Sequence, residues 1–145
     1  MINNIELNNK KNFIKMSEEK LLNIKSGECQ TIDILNKIHI NKIAIYGEEV
    51  QMILNRIIKK ECILLISLVG DQKEIFELNL VDLIKPSDDC SEWKLCIFEM
   101  KDNITFPNIH WGKEYNGIEN KIKIEFKSNN NLNVGIFYKV ENYNY

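Results

Sequence analysis

The stretch KIAIYGEEVQMILNRIIKKECILLISLV, residues 42–69, carries the strongest structural signal in the chain. Residues 42–46 combine β-branched and aromatic side chains in the manner of a strand, and Gly47 supplies a turn. Residues 48–60 read as a helix, because Val50, Ile53, Leu54, Ile57 and Ile58 recur at the spacing that places them on one stripe. The charges follow the helix dipole, with Glu48 and Glu49 in the first turn and Arg56, Lys59 and Lys60 in the last. Residues 62–69 form an unbroken apolar run, the pattern of a central strand covered on both faces. Strand, helix and strand in that order predict a right-handed crossover between parallel neighbours.

Upstream, Ser17 with Glu18 and Glu19 has the form of an N-cap and acidic first turn, Leu21, Leu22 and Ile24 follow, and Gly27 is placed to stop a short helix. Thr31 caps a second helical stretch with Ile34, Leu35 and Ile38 on one side, and the chain turns near Asn41. Downstream, residues 74–84 fit both periods, residues 86–89 make a break, and residues 93–100 read as a strand. In residues 121–127 Ile122, Ile124 and Phe126 alternate with lysines and a glutamate, which predicts a half-exposed antiparallel strand. Its expected partner is 134–140, reached through the asparagine-rich link 128–133. The expected fold is therefore α+β: a Rossmann-like strand-helix-strand N-terminal half and an antiparallel C-terminal half. An α/β arrangement is the alternative, and residues 1–145 form a single domain in either.

Composition narrows the function. With 19 basic and 21 acidic residues among 145, the formal net charge is −2, and no basic excess points to nucleic acid. The N-terminal 15 residues are polar, with neither a signal core nor a membrane span. That reads as cytoplasmic, although a mature secreted chain would look the same. Isoleucine, asparagine and lysine dominate, the bias of an AT-rich bacterial genome, and Arg56 is the sole arginine. Cys29, Cys62, Cys90 and Cys96 contain no Cys-x-x-Cys pair and read as structural thiols, with Cys90 and Cys96 able to meet across a turn. His39 and His110, the only histidines, have no metal-ligand spacing, and His110 reads as a packed side chain despite Asp102 and Glu114 nearby. Asn103-Ile104-Thr105 matches a glycosylation acceptor, a triplet common by chance in so asparagine-rich a chain.

NKIAIYGEE, preceded by LLNIKSGECQTIDILNKIHI and followed by CILLISLVGD, resembles the opening of the Rossmann-like nucleotide-sugar domains of bacterial, clostridial-type surface-polysaccharide proteins. The resemblance covers about residues 21–71. It implies a glycine turn at Gly47 whose amides meet a pyrophosphate, and an acidic residue, Asp71, that reaches a ribose hydroxyl. Glu48 and Glu49 stand where that fingerprint has small glycines, and two like charges about 4 Å apart at a dielectric near 20 repel by about 4 kcal/mol.

No hydrolase or Walker signature is present. The first-ranked reading is thus a non-catalytic binding or accessory protein of a bacterial gene cluster, with another protein as its partner and no cofactor or metal. Tyr138 and Tyr143, on an expected aromatic edge strand, are its candidate contact residues. A second reading is a nucleotide-sugar-binding enzyme or sensor using Gly47 and Asp71. A third is a carbohydrate-binding module centred on Trp111 and Tyr115, whose rings offer flat stacking surfaces.

Overall fold

Two-residue alternation, not helical spacing, governs most of this chain. The computed structural model describes residues 14–33, 37–68, 71–85, 90–91, 94–106, 121–128 and 131–143. In chain order these form β1 (Ile14–Met16), β2 (Lys20–Lys25), β3 (Cys29–Asp33), β4 (Lys37–Tyr46), α1 (Val50–Ile58), β5 (Ile63–Leu68), β6 (Asp71–Asn79), α2 (Leu80–Leu83), β7 (Cys90–Ser91), β8 (Leu95–Phe106), β9 (Lys121–Lys127) and β10 (Asn133–Tyr143). The strands make two sheets. The larger runs β1-β10-β4-β8-β7, with β2 continuing beside β10 where β1 ends, and the smaller runs β3-β9-β5-β6. Every strand pair among the described residues is antiparallel.

Each sheet contributes one face to a common core. Ile24, Val134, Ile136, Ile43, Ile45, Cys96 and Phe98 come from the larger sheet, and Ile32, Ile122, Ile124, Phe126, Leu64 and Ile66 from the smaller. Because alternate residues of both sheets meet in one buried cluster, the architecture is that of a β-sandwich. Each fully buried isoleucine or phenylalanine contributes about 1.5–3 kcal/mol from removal of apolar surface from water. At one end α1 inserts Ile53 and Ile57, and α2 inserts Leu80. The Leu80 amide donates to the Cys62 carbonyl at 3.0 Å, and the Lys85 amide to Glu99 of the larger sheet at 2.8 Å.

The α+β expectation with a Rossmann-like half is overturned, as is the α/β alternative. The strand-helix-strand order of residues 42–69 exists, but β4 belongs to the larger sheet and β5 to the smaller. The lengths explain why. A ten-residue β4 spans about 33 Å, whereas nine-residue α1 spans about 13.5 Å. So short a helix cannot return the chain to the start of β4, as a parallel neighbour requires. It carries the chain across the end of the sandwich instead. α1 is also shorter than expected: Glu49 is its N-cap, and Lys60 at φ 61 turns the chain after it.

The expected helix near Leu21 is β2, and the one begun at Thr31 is β3, Thr31 lying in that strand; residues 34–36 lie outside the described residues. Leu22 and Ile24 share the inner face, and Gly27 at φ +84 makes the turn into β3. Residues 74–84 contain both candidates, β6 and then α2. Strand 121–127 is present and buries Ile122, Ile124 and Phe126, but it does not pair with β10. Buried Leu132 turns the link into the core, where its carbonyl accepts the Ser26 amide at 3.0 Å, and the chain crosses to the other sheet.

Candidate functional site

Strand alternation gives β4 an inner row, Ile38 and Ile40, and leaves His39 on the outer face of the larger sheet. His39 is flanked by Lys139 on β10 and Thr105 on β8. Its Nε2 lies 2.8 Å from Glu141 Oε2, and its Nδ1 lies 2.9 Å from Thr105 Oγ1. A carboxylate only accepts hydrogen bonds, so in the neutral ring Nε2 carries the proton and Nδ1 accepts from the Thr105 hydroxyl. The side chains of His39 and Glu141 are 26% and 15% exposed, which screens the pair from water without sealing it. The result is a carboxylate-imidazole-hydroxyl chain across three adjacent strands.

Further along the same face, β2, β10, β4 and β8 align their outward residues. One row is Leu21, Phe137, Lys42 and Glu99; the next is Asn23, Gly135, Ala44 and Ile97. A Cβ added at Gly135 would meet Leu21 Cδ1 at 3.2 Å, Asn23 Oδ1 at 3.3 Å and the Ala44 Cβ at 3.5 Å, so these groups crowd together. The Lys42 ammonium sits 5.6 Å from the centre of the Phe137 ring, a cation–π distance, and 3.7 Å from Glu19. Tyr46 donates its hydroxyl proton to Asn23 Oδ1 at 3.0 Å. Leu21 is 51% exposed and Met16, on neighbouring β1, is 43% exposed.

A shallow polar groove of about 330 Å³ opens at the end of the sandwich, lined by Lys25, Ser26, Glu28, Asn131, Leu132 and Asn133. Several of its groups are already engaged. Ser26 donates to the Ser128 carbonyl at 2.6 Å, and Asn133 Nδ2 to the Asn131 carbonyl at 3.3 Å. Close by, Arg56 links Glu48 at 2.6 Å and Glu61 at 3.4 Å, and its hydrogen bond to Glu48 pushes the guanidinium pKa up. The sole arginine thus ties the turn before α1 to the turn after it.

Gly47 and Asp71 are not brought together. Gly47 ends β4 beside the 131–133 link, and its amide donates to the Lys94 carbonyl at 3.1 Å, leaving no proton for a phosphate. Asp71 pairs with Leu68, whereas the opposite end of β5, Ile63, pairs with Lys127 just before that link. A six-residue strand, about 20 Å, therefore lies between the two positions.

Tyr138 belongs to β10, which is paired on both sides and is not an edge strand. The ring packs partly against the core, and burial pushes its phenol pKa up. Tyr143 pairs through its backbone with Ile14. Trp111, Tyr115 and His110 lie outside the described residues. Cys90 and Cys96 are backbone partners across β7 and β8.

Sequence reasoning missed Thr105, His39 and Glu141 as a group because 66 and 102 residues separate the partners. The one local signal was a polar residue between Ile38 and Ile40. No group of three or more His, Cys, Asp or Glu among the described residues is placed to hold a metal ion. None of their helices is long and apolar enough to cross a membrane. No protein-family model, curated protein or solved structure matches the chain.

Proposed function

We propose that the chain is a binding module that engages another protein through the outer face of its larger sheet. The observation that carries this reading is half-exposed Leu21 beside partly exposed Phe137 on that face, packed over buried Gly135 and Ala44. Apolar and aromatic groups at the centre with Lys42, Glu99, Asn23 and Tyr46 around them match the anatomy of a protein interface, a dry middle and a polar rim.

The test compares what the tagged wild-type chain and two surface variants recover from the producing cells. Leu21→Lys is expected to lose the species that the wild type retains. Ile58→Lys, at a 69% exposed position on α1, is expected to keep it. Unchanged recovery by a folded Leu21→Lys variant, matched to wild type by circular dichroism, rejects this face.

A further inference from the structure

We propose that Thr105 is a primed nucleophile that accepts acyl groups from activated esters, with His39 as its base. The proposal goes beyond the partner-binding reading and does not depend on it. It rests on the chain Glu141 Oε2, His39, Thr105 Oγ1, with links of 2.8 and 2.9 Å. These are the contacts by which a hydroxyl of ordinarily weak nucleophilicity is activated: a base within hydrogen-bond reach, itself oriented by a third group. The tautomer is the productive one, since the Glu141 carboxylate keeps the proton on Nε2 and leaves Nδ1 free to take that of Thr105. The three residues sit on neighbouring strands, two of them, β4 and β10, interior to the sheet, so the geometry is held by the ladder.

In the reaction, Thr105 Oγ1 attacks the ester carbonyl carbon while its proton passes to His39 Nδ1. The new Oγ1–C bond forms, the bond from carbon to the leaving oxygen (sulfur in a thioester) breaks, and that atom departs with the electron pair. The imidazolium, stabilised by Glu141, then returns its proton to that leaving group or to water. Thr105 and His39 touch the reacting atoms, and Glu141 is a positioning residue.

The surroundings set the substrate class. Thr105 stands part-buried on the outer face of the larger sheet, where, among the described residues, the strand amides of β4 and β8 serve the ladder. The oxyanion therefore relies on solvent. That suffices for aryl esters and thioesters, whose leaving groups depart as stable anions, and not for amides.

The experiment treats the full chain with p-nitrophenyl acetate, follows release of p-nitrophenolate and maps the acetyl group by mass spectrometry. The expected result is an adduct at Thr105, abolished in Thr105→Ala and retained in Thr105→Ser. His39→Gln is expected to slow acylation by about 10²-fold or more, the usual worth of a positioned base. Glu141→Gln is expected to slow acylation without moving the adduct from Thr105, and the conservative Glu141→Asp to restore part of the rate. Acetylation confined to lysines overturns the proposal, as does equal Thr105 labelling in a folded His39→Gln variant.

Discussion

Gly47 and Gly27 form a natural pair of test sites, because both have positive φ, +116° and +84°, and only one is crowded. At Gly27 an added Cβ has nothing within 4 Å, so Gly27→Ala carries the backbone penalty alone, about 1–2 kcal/mol. At Gly47 the same Cβ would collide with the Asn131 carbonyl and press on Asn133 Nδ2 at 3.2 Å. Relief requires the 131–133 link to move, which disturbs the Asn133 to Asn131 contact and the Gly47 to Lys94 bond. Adding about 1 kcal/mol or more for those bonds gives about 2–4 kcal/mol for Gly47→Ala. For a domain of this size that lowers Tm by about 5–15 °C. Urea unfolding followed by circular dichroism, with linear extrapolation and an unchanged slope, measures both variants. If Gly47→Ala costs no more than Gly27→Ala, β4 does not end against the β9–β10 link and the packing of this end is wrong.

Burial makes two further outcomes accessible. Cys29 is exposed, whereas Cys62 is buried beside Ser128 and burial pushes its thiol pKa up. A disulfide reagent should therefore modify Cys29 in the native chain and reach Cys62 only on unfolding, with peptide mapping as the readout. Burial also raises the Tyr138 pKa above its unfolded value near 10. The neutral phenol is the form the fold favours, so its contribution is intact below about pH 10 and is lost as pH rises through the higher folded pKa. Spectrophotometric titration should show a late-ionising tyrosine that Tyr138→Phe removes; an unchanged titration curve would contradict the packing of that ring.

From residue 42 onward the local elements are largely legible in sequence; the upstream strands β2 and β3 and the topology are not. Ile122, Ile124 and Phe126 alternate because one face of β9 is buried, and sequence shows that directly. The stripe Val50, Ile53, Leu54 and Ile57 likewise marks α1. β4 was truncated in the reading because its inward residues switch parity, from Ile38 and Ile40 to Ile43 and Ile45. The cause is a bulge: β10 pairs Tyr138 with Ile40 and then Phe137 with Lys42, leaving Asn41 as the extra residue. β2 carries a helix-like signal in sequence because Leu21 beside Leu22 blurs a two-residue period. Leu21 faces outward, at the proposed contact surface. Which strands become neighbours depends on loop length and on Leu132 entering the core, neither of which is a periodic signal. The candidate site followed the same rule: each of its members was visible, but their meeting was a property of strand order alone.

The place of β10 has a kinetic consequence. The last of the described strands fills the slot between β2 and β4, and some of its contacts close loops of more than 100 residues. Until β10 emerges, β4 lacks its β10 partner and β2 lacks the one described strand it pairs with. Such late, long-range closure slows folding and leaves unpaired edges open to misassembly, so chaperone dependence should concentrate in the interval before residue 133 emerges.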